Sequence, residues 1–250
     1  MKTLAYTPCH YGKEYLKYSL QSIHDHVDQI LILYAKNPTY GHATSISNPD
    51  SENELKDICN QFSKVVWKEV PQNLNGEGRH RDLAISYGQS GGFDIVLAVD
   101  SDEVWQPNTV EPAIKQAYDG YERRYTTNHQ GWYHFWRSFN EVCRDGFEPI
   151  RLTNLNRSNN NQGRVLDSVI YHFGYANCER LQEYKMSVHG HKSEISNQWF
   201  TKKWLNYKKG ETTHLHPASN DVWIHTEPFD KNQLPEFMKA HPYFELGKIV

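Results

Sequence analysis

Phe93-Asp94-Ile95-Val96-Leu97-Ala98-Val99-Asp100-Ser101-Asp102-Glu103-Val104 is the stretch that decides the fold class. Asp94 to Val99 reads as a strand, because an unbroken apolar run of this length suits burial on both faces of a sheet. It leads directly into Asp100, Asp102 and Glu103. In open α/β sheets ligands bind in the crevice beyond the carboxyl ends of the strands, so this acidic trio stands where a ligand is expected. Residues two apart in an extended chain point to the same side, and Asp100 and Asp102 are therefore expected to converge. Two such carboxylates repel one another unless a cation lies between them. Hard oxygen donors suit Mg²⁺ or Mn²⁺, ions that also bridge phosphate oxygens. A bare Asp-x-Asp is equally a solvated turn. The buried strand before it is what favours the ligand site.

Upstream the pattern alternates. Thr3–Thr7 reads as a strand ended by Pro8, Lys13–His26 as a helix, Gln29–Tyr34 as a buried strand and Glu52–Phe62 as a helix capped by Ser51 or Asp50. Lys64–Val70 is a third strand, and Arg79–Gly88 a helix reached through the flexible segment Asn73–Gly78. Strands alternating with helices predict a mostly parallel sheet covered by helices, with right-handed crossovers. Downstream the order changes. Asn108–Tyr118 reads as a helix; Arg124–Phe139, Glu148–Asn156 and Val165–Phe173 as strands; Ser158–Gly163 as a loop; Glu179–Lys185 and Gln198–Tyr207 as helices. Gly210–Val250, rich in His and Pro, resists assignment. The expected fold is α/β: one domain over 1–250, with a ligand-binding half at 1–105 and a mixed half at 106–250.

The 250 residues suffice for a substantial core without staples. A net charge of −3 sets up no strong field toward nucleic acid or anionic membrane. The opening residues enter a strand pattern at once, so no secretory signal is expected, and no apolar run is long enough to span a bilayer. Cys9, Cys59, Cys143 and Cys178 form no Cys-x-x-Cys pair, which argues against structural zinc and for reduced thiols in the cytoplasm. After the first strand, Thr7-Pro8-Cys9-His10-Tyr11-Gly12 offers no GxGxxG and no Gly-rich basic phosphate loop. A Rossmann dehydrogenase is therefore disfavoured, as is a nucleotidyltransferase.

Phe93–Val104 resembles the metal-binding segment of GT-A glycosyltransferases, in particular the family 2 (WaaE-like) enzymes. Arg81-Asp82 stands where those enzymes often carry an Arg-Asn pair. Glu14, Leu20, Ser22 and Ile23 are similar to their first helix, and Tyr171-His-Phe-Gly-Tyr175 with Lys185 to their His-x-x-Tyr…Lys segment. The resemblance runs discontinuously over residues 1 to about 190. It implies a GT-A-type sheet and a nucleotide-diphosphate sugar as donor, with UDP-sugar favoured. It also implies that Asp100 contacts the ribose, or the metal through water, and that Lys185 binds a phosphate or a sugar hydroxyl. Tyr34-Ala35-Lys36-Asn37 replaces the family's base-contacting Asp, so Tyr34 or Asn37 is expected to recognise the base. Thr7 and Pro8, at the end of the first strand, are expected to border the nucleotide.

Glycosyl transfer puts negative charge on the departing diphosphate, which a divalent ion stabilises. Asp102 is the expected direct ligand and His172 the expected third, since imidazole accepts Mn²⁺ readily. His189, His191, His214, His216 and His225 compete with it, and His214-Leu215-His216 would present two imidazoles on one face of a strand. Arg81, near a helix start, is expected to bind the diphosphate. If the reaction inverts, a carboxylate takes the acceptor proton. Asp167 is the candidate and Glu103 the fallback. The aromatic stretch Trp132, Tyr133, Phe135 and Trp136 suits sugar stacking or the core. Trp199–Lys209 interleaves basic and aromatic residues and suits either nucleic acid or an amphipathic helix. A sugar or lipid-linked glycan is the default acceptor. The competing reading is a nucleotide-sugar-binding protein without catalysis, which keeps the two aspartates but releases no diphosphate.

Overall fold

The computed structural model describes residues 1–71, 76–158, 163–196, 198–219 and 221–250. Residues 73–75 of the expected flexible segment and 159–162 of the expected loop lie outside these. In chain order the elements are β1 (Thr3–Cys9), α1 (Lys13–Ile23), β2 (Gln29–Tyr34), α2 (Glu52–Cys59), β3 (Val65–Glu69), α3 (Glu77–Ser90), β4 (Ile95–Ala98), β5 (Glu103–Trp105) and α4 (Pro107–Asp119). There follow β6 (Arg124–Thr126), β7 (Trp132–Trp136), β8 (Glu141–Cys143), β9 (Ile150–Asn154), β10 (Gly163–Val165), β11 (Ile170–Tyr175), α5 (Glu179–Val188) and β12 (Glu227–Pro228).

The first sheet has the order β10-β6-β9-β4-β1-β2-β3. Its β3-β2-β1-β4 portion is parallel, as the alternation requires, while β9 runs antiparallel to both β4 and β6. Helices cover both faces. Leu16, Leu20, Ile23, Leu55, Ile114 and Ala117 bury against one side, and Ala84 packs with Leu4, Leu31 and Val96 on the other. A second sheet, β12-β8-β7-β11-β5, carries the downstream half.

Several boundaries differ from expectation for identifiable reasons. β1 continues through Pro8 to Cys9 because its pairing with β4 ends at Tyr6–Ala98, so the N–H that proline lacks costs no ladder bond. The long strand expected at Arg124–Phe139 breaks into β6 and β7, in different sheets, at the turn His129–Gly131. A side chain on Gly131 would overlap the Ser168 carbonyl. The strand expected at Val165–Phe173 divides in the same way into β10 and β11. α2 begins with a reciprocal capping box between Ser51 and Glu54. Asp50 instead reaches α1, accepting from Gly12 N at 2.6 Å and Lys13 N at 3.0 Å. The C-terminal tail lies along α1, where His241 Nε2–H donates to the Glu14 carbonyl at 3.0 Å and the Tyr243 hydroxyl donates to Glu14 Oε1 at 2.8 Å.

Two further expectations change. Trp132, Phe135 and Trp136 are core residues and only Tyr133 is partly exposed, so β7 offers no open stacking face. In Trp199–Leu205 both tryptophans point inward, their indole N–H groups donating to Leu215 O at 2.8 Å and Tyr175 O at 3.1 Å. The basic-aromatic alternation there is a helix with its two tryptophans in the core. His214 has φ +45°, so His214 and His216 are not presented by a strand. Among the described residues no helix is long and apolar enough to cross a membrane.

Candidate active site

The extended chain ends at Ala98, and a turn closes when Glu103 N donates to Asp100 O at 3.0 Å. Through this turn the two aspartates take different partners. Asp100 accepts from Arg151 at 3.0 Å, whereas Asp102 accepts from Lys185 at 2.8 Å. The β1–α1 loop seats the turn. Ser101 Oγ donates to the Tyr11 carbonyl at 3.2 Å, and a Cβ on Gly12, whose φ is +117°, would lie 2.5 Å from Ser101 Oγ. Only glycine tolerates both that conformation and that approach.

Arg151, the second residue of β9, bridges Asp100 and the fully buried Glu103, and its guanidinium lies 5.0 Å from the Trp132 ring centre. Burial opposes the Arg151 charge, but Glu103 and Asp100 outweigh it and raise its pKa. Glu103 is 0% exposed and committed to this bridge, which removes it as the fallback base.

Asp102 faces residues brought by the second sheet and α5. β11 pairs His172 with Glu103 of β5, so His172 Nε2 comes to 3.7 Å from Asp102 Oδ1. α5 contributes Lys185, whose ammonium also donates to Gly174 O at 3.1 Å. Burial raises the Asp102 carboxyl, yet its neighbours, the Lys185 ammonium foremost, more than reverse this and hold it at about 2. Burial drives the His172 pKa well below its usual value, against the pull of Asp102. The pair is thus a carboxylate beside a neutral imidazole. Gly174 is required here, since a Cβ would overlap His172 Nε2 and lie 2.8 Å from Lys185 Nζ.

Behind His172 the chain continues inward. His172 Nδ1 is 2.8 Å from His134 Nδ1, His134 Nε2 is 3.5 Å from Asp145 Oδ2, and Trp223 Nε1 donates to that same oxygen at 2.8 Å. His10 sits at the end of β1, where Nδ1–H donates to Ala35 O at 2.6 Å and Nε2 accepts from the Tyr184 hydroxyl at 2.7 Å.

The donor chemistry fits a divalent cation. Metal bonds of about 2.0–2.2 Å let one ion touch two donors as far apart as Asp102 Oδ1 and His172 Nε2. Magnesium-type ions are commonly held by one or two protein groups, with phosphate and water completing the shell. Among the described residues no cluster of three or more His, Cys, Asp or Glu side chains forms a fuller cage.

The remaining expected residues divide. Arg81, in the first turns of α3, hydrogen-bonds Tyr6, whose hydroxyl also feels Asp100 and Arg151, so it belongs to this crevice. Pro8 is half-buried on the same face of β1 as Tyr6. Thr7 faces the opposite layer with its hydroxyl buried and unpartnered, and Asn37 is exposed beyond β2. Tyr34 is 5% exposed and tilted against Trp67 at 4.8 Å, a core position with no free ring face. Asp167 is exposed before β11, its N–H donating to Gln116 at 3.4 Å. β11 runs from Ile170 toward His172, and Asp167 precedes its far end. The structure therefore does not bring Asp167 to Asp102. The sequence reading missed Arg151, His134, Asp145 and His10. Its one available signal was a charged or imidazole side chain inside a run that otherwise reads as core, as in Trp132–Trp136 and Ile150–Asn154.

No protein-family model matches the chain, and no curated protein matches it. Among solved structures the chain is similar to Staphylococcus aureus TarS 1–349 in complex with UDP, with 13% identity over 82% of this chain and 71% of that one and a TM-score of 0.48. Against another TarS 1–349 structure the chain spans 64% of its length, with a TM-score of 0.46. Glucosyl-3-phosphoglycerate synthase from Mycobacterium tuberculosis, in complex with Mn²⁺, UDP-glucose and phosphoglyceric acid, is similar at 19% identity over 54% of this chain and 44% of that one, with a TM-score of 0.35. A cytidylyltransferase from Leptospira borgpetersenii is similar at 11% identity over 62% and 60%, with a TM-score of 0.36.

Proposed function

We propose that the chain is a GT-A-type glycosyltransferase of the family 2 (WaaE-like) kind, moving a sugar from a nucleoside-diphosphate donor, UDP-sugar favoured, to a hydroxyl acceptor. The observation that carries this is an ionised Asp102 beside a neutral His172 at the carboxyl end of the parallel sheet. The sequence resemblance adds to it. Asp102 and His172 are the residues that would hold Mn²⁺ or Mg²⁺, and a bound ion would supply Lewis-acid stabilisation of the leaving diphosphate. Lys185 and Arg81 add charge-assisted hydrogen bonds to the same oxygens. Asp100, about half exposed and steadied by Arg151, is free on its open side to accept from a ribose hydroxyl or a water. The Arg151–Glu103 bridge keeps the turn in the shape that separates these two roles. The acceptor is a glycan, a lipid-linked sugar or a modified nucleic-acid base, in that order of preference. Four unpaired thiols suit a reducing compartment and hence a cytoplasmic enzyme.

The second reading is a nucleotidyltransferase, which also uses acidic residues at a sheet edge. One contact disfavours it. The Asp50 carboxylate already occupies the N-terminal amides of α1, where a phosphate loop would hold its ligand. A panel of nucleotide sugars with Mn²⁺, read by released nucleoside diphosphate, tests the proposal. Slow release by the wild type, lost in Asp102→Asn, is expected. Tight binding without release in any condition would identify the non-catalytic binding protein, and neither binding nor release would overturn the reading.

A further inference from the structure

The geometry points to Asp145 as a positioning residue: acting through His134, it fixes the tautomer of His172 so that the Nε2 lone pair, not an N–H, faces the ligand site. This rests on the metal-site reading above. The groups form a chain: Asp145 Oδ2–His134 Nε2 at 3.5 Å, a charge contact rather than a hydrogen bond, then His134 Nδ1–His172 Nδ1 at 2.8 Å, ending at His172 Nε2, 3.7 Å from Asp102 Oδ1. The central nitrogen pair needs one proton between them, and two arrangements of the neutral rings supply it. In the first, His172 Nδ1–H donates to His134 and the His134 Nε2–H points to Asp145. In the second, both rings carry their protons at the other nitrogens, so a lone pair faces Asp145 and an N–H faces Asp102.

The surrounding charges choose between them. The Asp102 carboxylate is already neutralised by the Lys185 ammonium at 2.8 Å, and that ammonium lies beside His172 Nε2, both bordering the space over Gly174. A cation so near favours a lone pair there over an N–H. Among the described residues Asp145 has no such partner. Its oxygens accept from Trp223 Nε1 at 2.8 Å and Phe147 N at 2.9 Å, both neutral donors, so its charge still attracts a proton on His134. The first arrangement follows. A ligating imidazole is commonly oriented by a group that receives its other N–H; here the receiver is a second histidine, held in turn by a carboxylate.

The test is Asp145→Asn in the full chain. The asparagine oxygen can still accept from Trp223 Nε1, but it carries no charge to hold a proton on His134 Nε2, so His172 loses its fixed tautomer. Nitrogen-15 NMR of the histidine rings in metal-free protein is expected to find His172 protonated at Nδ1 in the wild type and a mixture of the Nδ1 and Nε2 tautomers in the variant. Mn²⁺ affinity in the presence of UDP is expected to fall about 10- to 100-fold, the usual effect of losing such a supporting group. Trp223→Phe, which keeps the carboxylate, controls for loosened packing and should leave the wild-type tautomer in place. A wild-type His172 protonated at Nε2, or a folded Asp145→Asn with unchanged Mn²⁺ affinity, overturns the inference. A wild type that binds no Mn²⁺ contradicts the metal-site reading instead, and the NMR arm still decides the tautomer.

Discussion

Asp102 and Asp145 carry opposed influences that resolve the same way. Burial raises both carboxyls, and their neighbours, Lys185 foremost for Asp102 and His134 foremost for Asp145, bring each to about 2. A carboxyl whose folded-state pKa lies below the unfolded value of about 3.9 contributes stability that is complete above that value and is lost as pH falls through the folded one. Metal-free protein should therefore lose stability between roughly pH 4 and 2, each group contributing on the order of 2 kcal/mol. Denaturant melts across that range check this, and a flat profile contradicts it. Arg151→Met would strand Glu103, fully buried, without its cation. A loss of about 3–5 kcal/mol is expected in urea unfolding, the usual effect of breaking a buried pair. Asp167→Asn, by contrast, should leave turnover near wild type, because the side chain stands before β11 and away from Asp102. A large loss of turnover would restore Asp167 as the acceptor base. At this scale the sequence singled out Asp102 and Arg81 by position, and His172 and Lys185 by resemblance, and the fold brings these side chains to one crevice. It was not legible for Arg151 or His134, since nothing local distinguishes a core strand with one polar member from a surface one.

Among the elements, the turn after β4 and the bend at Gly174 do most to shape the site. The first was misread because two-residue periodicity was extended past Ala98, where a turn hydrogen bond from Glu103 to Asp100 ends it. The apolar strands Gln29–Tyr34 and Asp94–Val99 were legible because continuous burial leaves a strong signal. Arg124–Phe139 was not, because the break at His129–Gly131 depends on packing against Ser168, distant in sequence. Gly174→Ala should keep the fold but displace His172 and Lys185, both of which border the missing Cβ. A near-wild-type melting temperature with Mn²⁺–UDP binding lost is the expected outcome, read by thermal melt and calorimetry. Unimpaired binding would mean that neither side chain is needed where it stands.

At the scale of the whole molecule, the turn after β4 of the first sheet supplies Asp100 and Asp102, the second sheet supplies the imidazole and α5 the ammonium. β5 and β11 join them, placing Glu103 opposite His172 one residue from Asp102. Strand alternation announced the parallel portion of the first sheet. The order of the second, in which β7 and β11 lie side by side and parallel, depends on contacts far apart in sequence and left no local trace. The central claim is that Asp102 and His172 hold a divalent ion against a nucleoside diphosphate. The most direct measurement is the affinity of the purified chain for UDP by calorimetry, with and without Mn²⁺, in the wild type and in Asp102→Asn. The account predicts that Mn²⁺ strengthens UDP binding markedly in the wild type and has little effect in the variant. Equal Mn²⁺ enhancement in both proteins, or none in either, would contradict it.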